Sequence, residues 1–379
     1  FNETSKARNQ VCYFLGSDII PNANTQQYVG NALRSDFKCK DMVVNACKKA
    51  KNSYYSIANV RIVKDANPLT SLRIWINIIL PAMLFGCELW SNLTKKDIYL
   101  LELTQRQVTK AIQRFGMRFP SDVVLSTLGL WTISARIDKA KLGFFNRLCR
   151  CKHFITKKVF ILRLASYLSN RETFKQKGFI NDLYNLAEKY EYIPDQIQQF
   201  ICNGKYLIKE KWRLLTKSQI HIFEEKKWQE SCQQNVSLQY FRNVHTNLSP
   251  SIMWELGRQF PKCTWNLGNL IHLSLPNVYE KKCKICDTII ITNEFIIVHY
   301  LLHCQNTRII CERDELFNLL VSILDIDTGV KLFSADTHVF IDAILGSQAD
   351  VLQQLDDDTF CNFLLTVANK LQFVQHYFM

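Results

Sequence analysis

The pattern of apolar and polar positions predicts a short β-rich start followed by helices. The apolar run at residues 11–15 ends at Gly16, and a Pro21-Asn22 turn follows a second short apolar run. Short apolar runs bounded by glycine and by such a turn are typical of a hairpin or a sheet edge. From about Ala32 to Val60 the spacing becomes helical, because lysines alternate with an apolar set made of Val43, Val44, Cys47 and Ala50.

Prolines and capping residues organise the next stretch. Pro68 is predicted to lie near the start of a helix whose interior, residues 72–80, is almost wholly apolar. Pro81 should kink or interrupt that helix, because proline lacks a backbone donor and crowds the preceding turn. Asn92 or Thr94 can cap the helix that follows.

The remaining chain is predicted to be mostly helical, which makes the fold class mainly α. Ser134 should open a helix that runs to about Cys151, and residues 155–260 carry further helical stretches. Residues 288–298 have the β-branched composition of two short strands around Asn293-Glu294. We expect a β-edged start, a helical bundle, a basic helical region, a small Cys/His module and an acidic helical tail, at residues 1–31, 32–152, 153–275, 276–313 and 314–379.

The charge is strongly positive and unevenly distributed. The formal net charge is +13 and the pI is about 9.1. Residues 134–178 contain twelve Lys or Arg against two acids, whereas residues 305–379 contain eleven acids against four bases. Such an excess indicates a polyanionic partner, with nucleic acid ahead of an anionic membrane. Lys-rich helix faces are also common as simple solvated surface.

Cysteine usage indicates a reducing compartment. The fourteen cysteines are scattered and no signal peptide is evident, so we expect reduced thiols and an intracellular location. The longest apolar run, residues 74–86, is broken by Asn77 and Pro81 and is too short to span a bilayer. Because the chain opens at Phe1 and not at methionine, we expect it to be a fragment.

Four residues near the C-terminus have the spacing of a metal site. Cys283 and Cys286 form a Cys-x-x-Cys pair, and His299 and Cys304 follow. Four soft nitrogen and sulfur ligands suit a closed, tetrahedral structural Zn²⁺ rather than a catalytic ion, which needs an open position. His303 is an alternative ligand, and ordinary core cysteines with a nearby histidine are the other interpretation.

The purpose of such a site has two interpretations. Lysines beside the Cys-x-x-Cys pair, at Lys281, Lys282 and Lys284, could contact phosphate or hold a stacked base. The alternative is that the metal only supports folding of a small module.

Several stretches, taken in order, resemble non-LTR (LINE-type, jockey-like) retrotransposon reverse transcriptases. YFLG at 13–16 resembles the primer-grip turn at the end of the palm, and LPAMLFGCELW at 80–90 is similar to the family's Pro-x-x-x-Tyr-Gly-x-Glu-x-Trp stretch in the thumb. LGL at 128–130, followed by Ile133, Ile137 and Lys141-Leu142, is similar to the closing helix pair of the same thumb, and the Cys/His set resembles the family's C-terminal zinc-knuckle-like cluster. The resemblance covers residues 11–313.

The resemblance implies the fold and function of the nucleic-acid-binding end of an RNA-directed DNA polymerase. It makes Phe14, Leu15 and Gly16 the primer grip, and RNA and DNA the partners, with a nuclear location. Phenylalanine replaces the family's tyrosine at Phe14 and Phe85, and the loop from Cys286 to His299 is longer than in the usual knuckle.

The family's catalytic Tyr-x-Asp-Asp does not occur in this sequence. Two-metal phosphoryl transfer needs closely placed carboxylates. The acid runs of this chain, at 325–327 and 356–358, follow the Cys/His set and suit the acidic tail. We therefore expect no catalytic residues here, Mg²⁺ only in an intact polymerase, no activity from this chain alone, and no small-molecule substrate.

Basic side chains along two predicted helices are the candidates for gripping nucleic acid. A thumb holds the template–primer duplex through its phosphates without reading sequence, and Lys and Arg make such contacts. The candidates are Arg136, Lys139, Lys141, Arg147, Arg150, Lys152, Lys211 and Arg213, with Trp212 as a base-stacking residue. A buried Trp212 is the alternative. The competing function is an element-derived helical scaffold or interaction protein with a structural zinc site.

Overall fold

The structure is a computed structural model that describes most of the chain, namely residues 13–15, 17–20, 25–28, 31–34, 39–60, 65–91, 93–169, 178–191, 193–276, 281–283, 285–290, 295–372 and 374. The described residues are mainly helical, as the sequence predicts. The helices of the first half are α1 Lys40–Ala58, α2 Pro68–Ile74, α3 Leu80–Met83, α4 Lys95–Ile112, α5 Ser121–Ser126, α6 Ile133–Cys149 and α7 Phe154–Ser169. Among the described residues, no helix has the length and apolar character needed to cross a membrane.

The second half continues with helices and one small hairpin. Its helices are α8 Phe179–Lys189, α9 Ile193–Asn203, α10 Lys209–Gln234, α11 Gln239–Val244, α12 Ile252–Gln259, α13 Thr264–Leu273, α14 Ile296–Val298, α15 Thr307–Ile323, α16 Ile326–Ser334, α17 Thr337–Ile344 and α18 Asp357–Lys370. Short 3₁₀ turns lie at Val236–Leu238, Pro261–Cys263 and Asp350–Leu352. The described end of the acidic tail is helical, as expected from the sequence.

The N-terminal region contains two antiparallel hairpins. Strand β1 Tyr13–Leu15 pairs with β2 Asp18–Ile20, which confirms the predicted hairpin, and β3 Thr25–Tyr28 pairs with β4 Asn31–Arg34. The helix expected from about Ala32 is therefore wrong at its start. A two-residue connection places Asn31 opposite Tyr28, and the strand ladder takes the backbone hydrogen bonds that a helix would need.

The proline-interrupted helix behaves as predicted. Asn67 caps α2, accepting a hydrogen bond from the Leu69 N–H, and Pro68 is its first residue. The helix passes through a π-helical turn at Trp75–Ile79 into α3, and after Gly86 at φ 74° a 3₁₀ turn spans Cys87–Leu89. Pro81 cannot donate to the helix ladder, so the regular α-helix is broken around it.

Two local predictions on the following helices are confirmed. Thr94 caps α4: its Oγ1 accepts from the Asp97 N–H at 3.2 Å, and an Asp97 carboxylate oxygen accepts from the Thr94 N–H at 2.9 Å. Asn92 lies outside the described residues. Helix α6 begins at Ile133 and ends at Cys149, within two residues of the predicted bounds.

The first compact unit comprises residues 1–53, 80–104 and 133–219. Its core is rich in aromatic rings: Phe145 packs against Phe160, Phe200 and Trp212 with ring centroids 5.6–6.2 Å apart. These rings bring α6, α7, α9 and the first half of α10 together around one apolar centre. The buried lysine and tryptophan described below belong to this core.

The second compact unit comprises residues 54–79, 105–132 and 220–379. Trp254 of α12 is fully buried and lies against Gly268 of α13, where an added Cβ would come within 2.4 Å of its ring. Gly129, at φ 63°, makes a similarly close approach to Pro250. Helices α15 and α18 also pack together in this unit. The five segments expected from the sequence describe functional regions and stay a prediction.

Candidate metal centre and nucleic-acid interface

A small hairpin positions the Cys-x-x-Cys pair. Strand β5 Lys281–Lys282 pairs with β6 Ile289–Ile290, and the Cys283 N–H donates to the Thr288 carbonyl at 2.8 Å. The Asp287 N–H donates to the Cys283 carbonyl at 2.9 Å, which closes a tight turn. Asp287 has φ 63°, a left-handed conformation that Asp and Asn tolerate better than most residues. The turn places both thiols on the same side.

A π-helical turn positions the other two residues. Helix α14 runs directly into the π-helical turn His299–His303, and the Cys304 N–H donates to the His299 carbonyl at 2.8 Å. The prediction of a second strand is therefore wrong at 296–298, which are helical. His299 lies three residues after the helix begins, Cys304 follows its end, and His303 is exposed. Asn293-Glu294 lies outside the described residues.

These two segments bring the four sequence-predicted residues into one cluster, which we call the metal cluster: Cys283, Cys286, His299 and Cys304. Their candidate ligand atoms all lie within 4.8 Å of one another, and Cys286 Sγ is 3.4 Å from His299 Nε2. Cys283 and Cys304 are fully buried, and His299 nearly so. The cluster could hold a metal ion, and it does not include His303.

The thiols of the metal cluster differ in acidity. Burial raises the pKa of Cys304 to about 11. Burial acts in the same direction on Cys286, but hydrogen bonds with Thr288, Cys283 and Cys304 together outweigh it and lower the pKa of that thiol. A bound cation would favour the thiolate form of each cysteine, because the thiolate is the ligand.

The metal cluster is tied to the helix that follows it. The Asn306 side chain caps α15 by accepting from the Arg308 N–H, and its Nδ2 donates to the Ile285 carbonyl at 3.3 Å. Arg313 of α15 donates to the Leu301 carbonyl at 3.2 Å. These bonds link both halves of the cluster to one helix. Of the neighbouring lysines, Lys282 is exposed and pairs with Asp287, and Lys284 lies outside the described residues.

Two hydrogen bonds connect helix α6 of the first unit with residues 207–212, at the start of α10. The Asn146 side chain donates to the Leu207 carbonyl at 2.9 Å, and Trp212 Nε1 donates to the Leu142 carbonyl at 2.9 Å. Moving four residues back along α6, from Asn146 to Leu142, therefore corresponds to moving five residues forward in the other segment, from Leu207 to Trp212. Continuing this register brings Asp138 opposite Lys217, so Lys139, the next residue of α6, lies near that part of α10.

Four cations are close enough for three of them to act on the fourth, Lys139, and we call them the basic cluster: Arg136, Lys139, Arg213 and Lys217. Burial lowers the pKa of Lys139, and the charges of Arg136, Lys217 and Arg213 lower it further. Burial also lowers the pKa of Arg136 to about 10, although Glu102 acts in the opposite direction. An anion at this place would relieve the repulsion.

Arg136 has a further feature of an anion site. Its Nε is buried and makes no hydrogen bond within the described part of the chain. A buried donor without an acceptor destabilises the folded protein unless something supplies the acceptor. Phosphate oxygens are the acceptors that a guanidinium group recognises best.

Two of the candidate residues lie inside the protein instead. Lys141 is buried and its Nζ is 2.6 Å from an Asp182 carboxylate oxygen. Trp212 is 4% exposed, which agrees with the alternative of a buried tryptophan. Neither side chain presents a surface to a nucleic acid, and both stabilise the packing of the first unit.

The other basic candidates are on the surface. Arg147 is exposed, and it pairs with Glu88 at 2.9 Å and lies over the Phe144 ring. Arg150, Lys152 and Lys211 are also exposed. Sequence reasoning missed Lys217, although its position four residues after Arg213 on the same helix was a usable signal.

The structure describes the predicted primer grip only in part. The backbones of Phe14 and Leu15 lie in β1, opposite Ile19 and Asp18. Gly16 lies outside the described residues. The assignment of these three residues stays a prediction.

Comparisons with protein-family models, with curated proteins and with solved structures found no match.

Proposed function

We propose that the chain is the nucleic-acid-binding part of a non-LTR retrotransposon reverse transcriptase, stabilised by a structural zinc ion. The observation that supports binding most directly is the basic cluster, in which Arg136, Lys139, Arg213 and Lys217 converge from two helices. The sequence resemblance supplies the family and the ligand class, an RNA–DNA duplex.

The metal cluster fits zinc by its donors and its dimensions. Three thiols and one imidazole are ligands that zinc prefers, and tetrahedral bonds of about 2.3 Å separate neighbouring sulfurs by about 3.8 Å. The observed ligand atoms lie within 4.8 Å of one another, so small side-chain rotations suffice. With four protein ligands no position is left for substrate, so the ion would stabilise the module and take no part in chemistry.

Binding by the basic cluster would be a matter of positioning. The charges of three other cations act on Lys139, and the phosphate backbone of a duplex would bring opposite charge to this cluster. Exposed Arg147, Arg150, Lys152 and Lys211 would extend the contact along the backbone. Such contacts fix the duplex without selecting a sequence.

Fluorescence anisotropy with a labelled RNA–DNA hybrid tests this proposal over a series of salt concentrations. Each phosphate neutralised adds about 0.9 to the slope of log affinity against log salt for a B-form duplex. We expect Lys139→Met and Lys217→Met each to weaken binding and to lower that slope by about one. Lys226→Met is the matched control, because Lys226 is an exposed lysine of the same helix outside the basic cluster.

The outcomes separate the proposed function from its competitor. Affinity that is insensitive to salt, or equal loss in Lys226→Met and Lys139→Met, would contradict binding by the basic cluster. The competing function is a helical scaffold that binds a protein through apolar surface. Its affinity for that protein should change little with salt.

A further inference from the structure

Helix α7 exposes an apolar face. Its other side buries Phe160 and Leu164, as expected for a packed amphipathic helix. The outward face carries Ile155, Val159 and Leu162, which are 52–64% exposed. Their spacing, i, i+4 and i+7, places them in one stripe about two turns long. A stripe of this kind costs free energy in water and is typical of an interaction surface.

The charged residues of this helix are all positive. The helix contains no Asp or Glu, and Lys158 and Arg163 flank the stripe, with Lys152 just before the helix. A second α7 would bring the same positive charges together, which disfavours self-pairing of this face. The complementary surface should therefore combine an apolar stripe with acidic residues.

Helix α16 has that combination. Ile326, Val330 and Phe333 repeat the i, i+4, i+7 spacing and are 39–85% exposed, whereas Leu332 on the opposite side is buried. The acids Asp325 and Asp327 at the start of the helix and Asp336 just after it are exposed, against one base, Lys331. The α16 stripe thus matches the α7 stripe in length and spacing and opposes it in charge.

We propose that the α7 stripe of one copy of this chain docks on the α16 stripe of a second copy. This inference is independent of nucleic-acid binding and of zinc. The contact joins two different faces, so it is heterologous, and association can continue beyond a dimer unless the geometry closes a ring. The stripes are small compared with standard interfaces, so the association should be weak and concentration-dependent.

Sedimentation velocity on the full chain without nucleic acid, over a range of protein concentrations, tests this proposal. We expect the sedimentation coefficient to rise with concentration. Val159→Glu and Val330→Lys should each weaken association by about tenfold or more, because a charge then faces either the apolar stripe or a like-charged partner. Val236→Glu is the matched control, since Val236 is 78% exposed on a 3₁₀ turn outside both stripes.

The double variant Val159→Glu/Val330→Lys makes the test specific. It restores opposite charges across the proposed contact, so it should associate more tightly than either single variant. A chain that stays monomeric at every concentration would overturn the proposal. So would sensitivity to only one of the two single variants, loss of association in Val236→Glu, or absence of recovery in the double variant. Circular dichroism confirms that each variant is folded.

Discussion

The two compact units stabilise their buried polar groups in different ways. The first unit contains two ion pairs with a buried member: Lys141 with Asp182, and Lys189 with Asp138, each at 2.6 Å. Tyr190 donates a further hydrogen bond to Asp138 at 3.0 Å. A buried ion pair is costly to break, because the remaining charge is left without a partner in a poorly solvated place.

In the second unit the central buried network is neutral. Gln113 Oε1 accepts from Thr127 Oγ1 at 2.7 Å and from Trp254 Nε1 at 2.8 Å, and Gln113 Nε2 donates to the Val124 carbonyl at 2.8 Å. His245 is buried nearby without charge, since burial lowers its pKa to about 4. We therefore expect the stability of the first unit to depend on its paired charges. The stability of the second unit should depend on keeping His245 neutral and on the metal cluster.

Loss of the metal cluster should give the largest effect. Cys304→Ser removes a buried ligand and should destabilise the module by more than about 4 kcal/mol, because structural zinc contributes about 10–16 kcal/mol of binding free energy in small peptides. Hydrogen exchange of the amides at 281–306 and metal analysis measure this. His303→Ala is the control, since His303 lies outside the metal cluster. Equal metal content in Cys304→Ser and the native chain would exclude the assigned ligand set.

Breaking a buried ion pair in the first unit should come next. Lys141→Met leaves Asp182 largely buried and unpaired, so the free energy of unfolding should fall by about 3 kcal/mol. The double variant Lys141→Met/Asp182→Leu removes both charges and should recover most of the loss. Urea unfolding of the three proteins measures this. A double variant no more stable than Lys141→Met would show that the loss comes from packing and not from the stranded charge.

Acid should act on the second unit through His245. The unfolded chain takes up a proton at this residue as the pH falls through about 6.5, whereas the folded protein does so only near 4. Its stabilising contribution is therefore complete above about 6.5 and falls between 6.5 and 4, by about 2 kcal/mol at pH 5.

His245→Gln isolates this contribution. Glutamine can still donate to the Ser126 backbone but does not titrate, so its stability should fall less between pH 7 and pH 5 than that of the native chain. Both proteins keep the metal cluster, so the difference between them excludes its response to acid. His153→Gln, at an exposed histidine, should match the native profile. Identical profiles for all three would show that His245 has the same pKa in the folded protein and in the unfolded chain, which would contradict its burial as a neutral group.

The predictions that succeeded from sequence are those set by local spacing. The four residues that form the metal cluster lie within 22 residues, and the Cys-x-x-Cys turn is specified by its own hydrogen bonds. The interruption at Pro81 and the cap at Thr94 are local for the same reason. The second strand expected near Val298 failed because β-branched composition suits either a strand or a buried helical turn.

The predictions that failed or stayed open depend on contacts between distant segments. Lys139 and Lys141 look alike in the sequence, but two helical positions separate their directions by about 200°. Lys141 meets Asp182, 41 residues away, and no pattern within α6 reveals that partner. Arg213 and Lys217 act on Lys139 from a segment about 70 residues away, which Trp212 and Asn146 help to hold against α6.

The smallest expected effect on stability is that of Lys139, and it tests the difference between Lys139 and Lys141. Because burial and like charges both lower the pKa of Lys139, its charged form is less favoured in the folded protein than in the unfolded chain. Lys139→Met should therefore change the free energy of unfolding by less than about 1 kcal/mol, with stabilisation the expected direction. Urea unfolding at low and high salt measures this, and added salt should reduce the gain by screening the repulsion.

Lys141→Met, on the same helix, serves as the comparison. A loss in Lys139→Met as large as in Lys141→Met would mean that Lys139 is held by an internal anion and is not available to a phosphate.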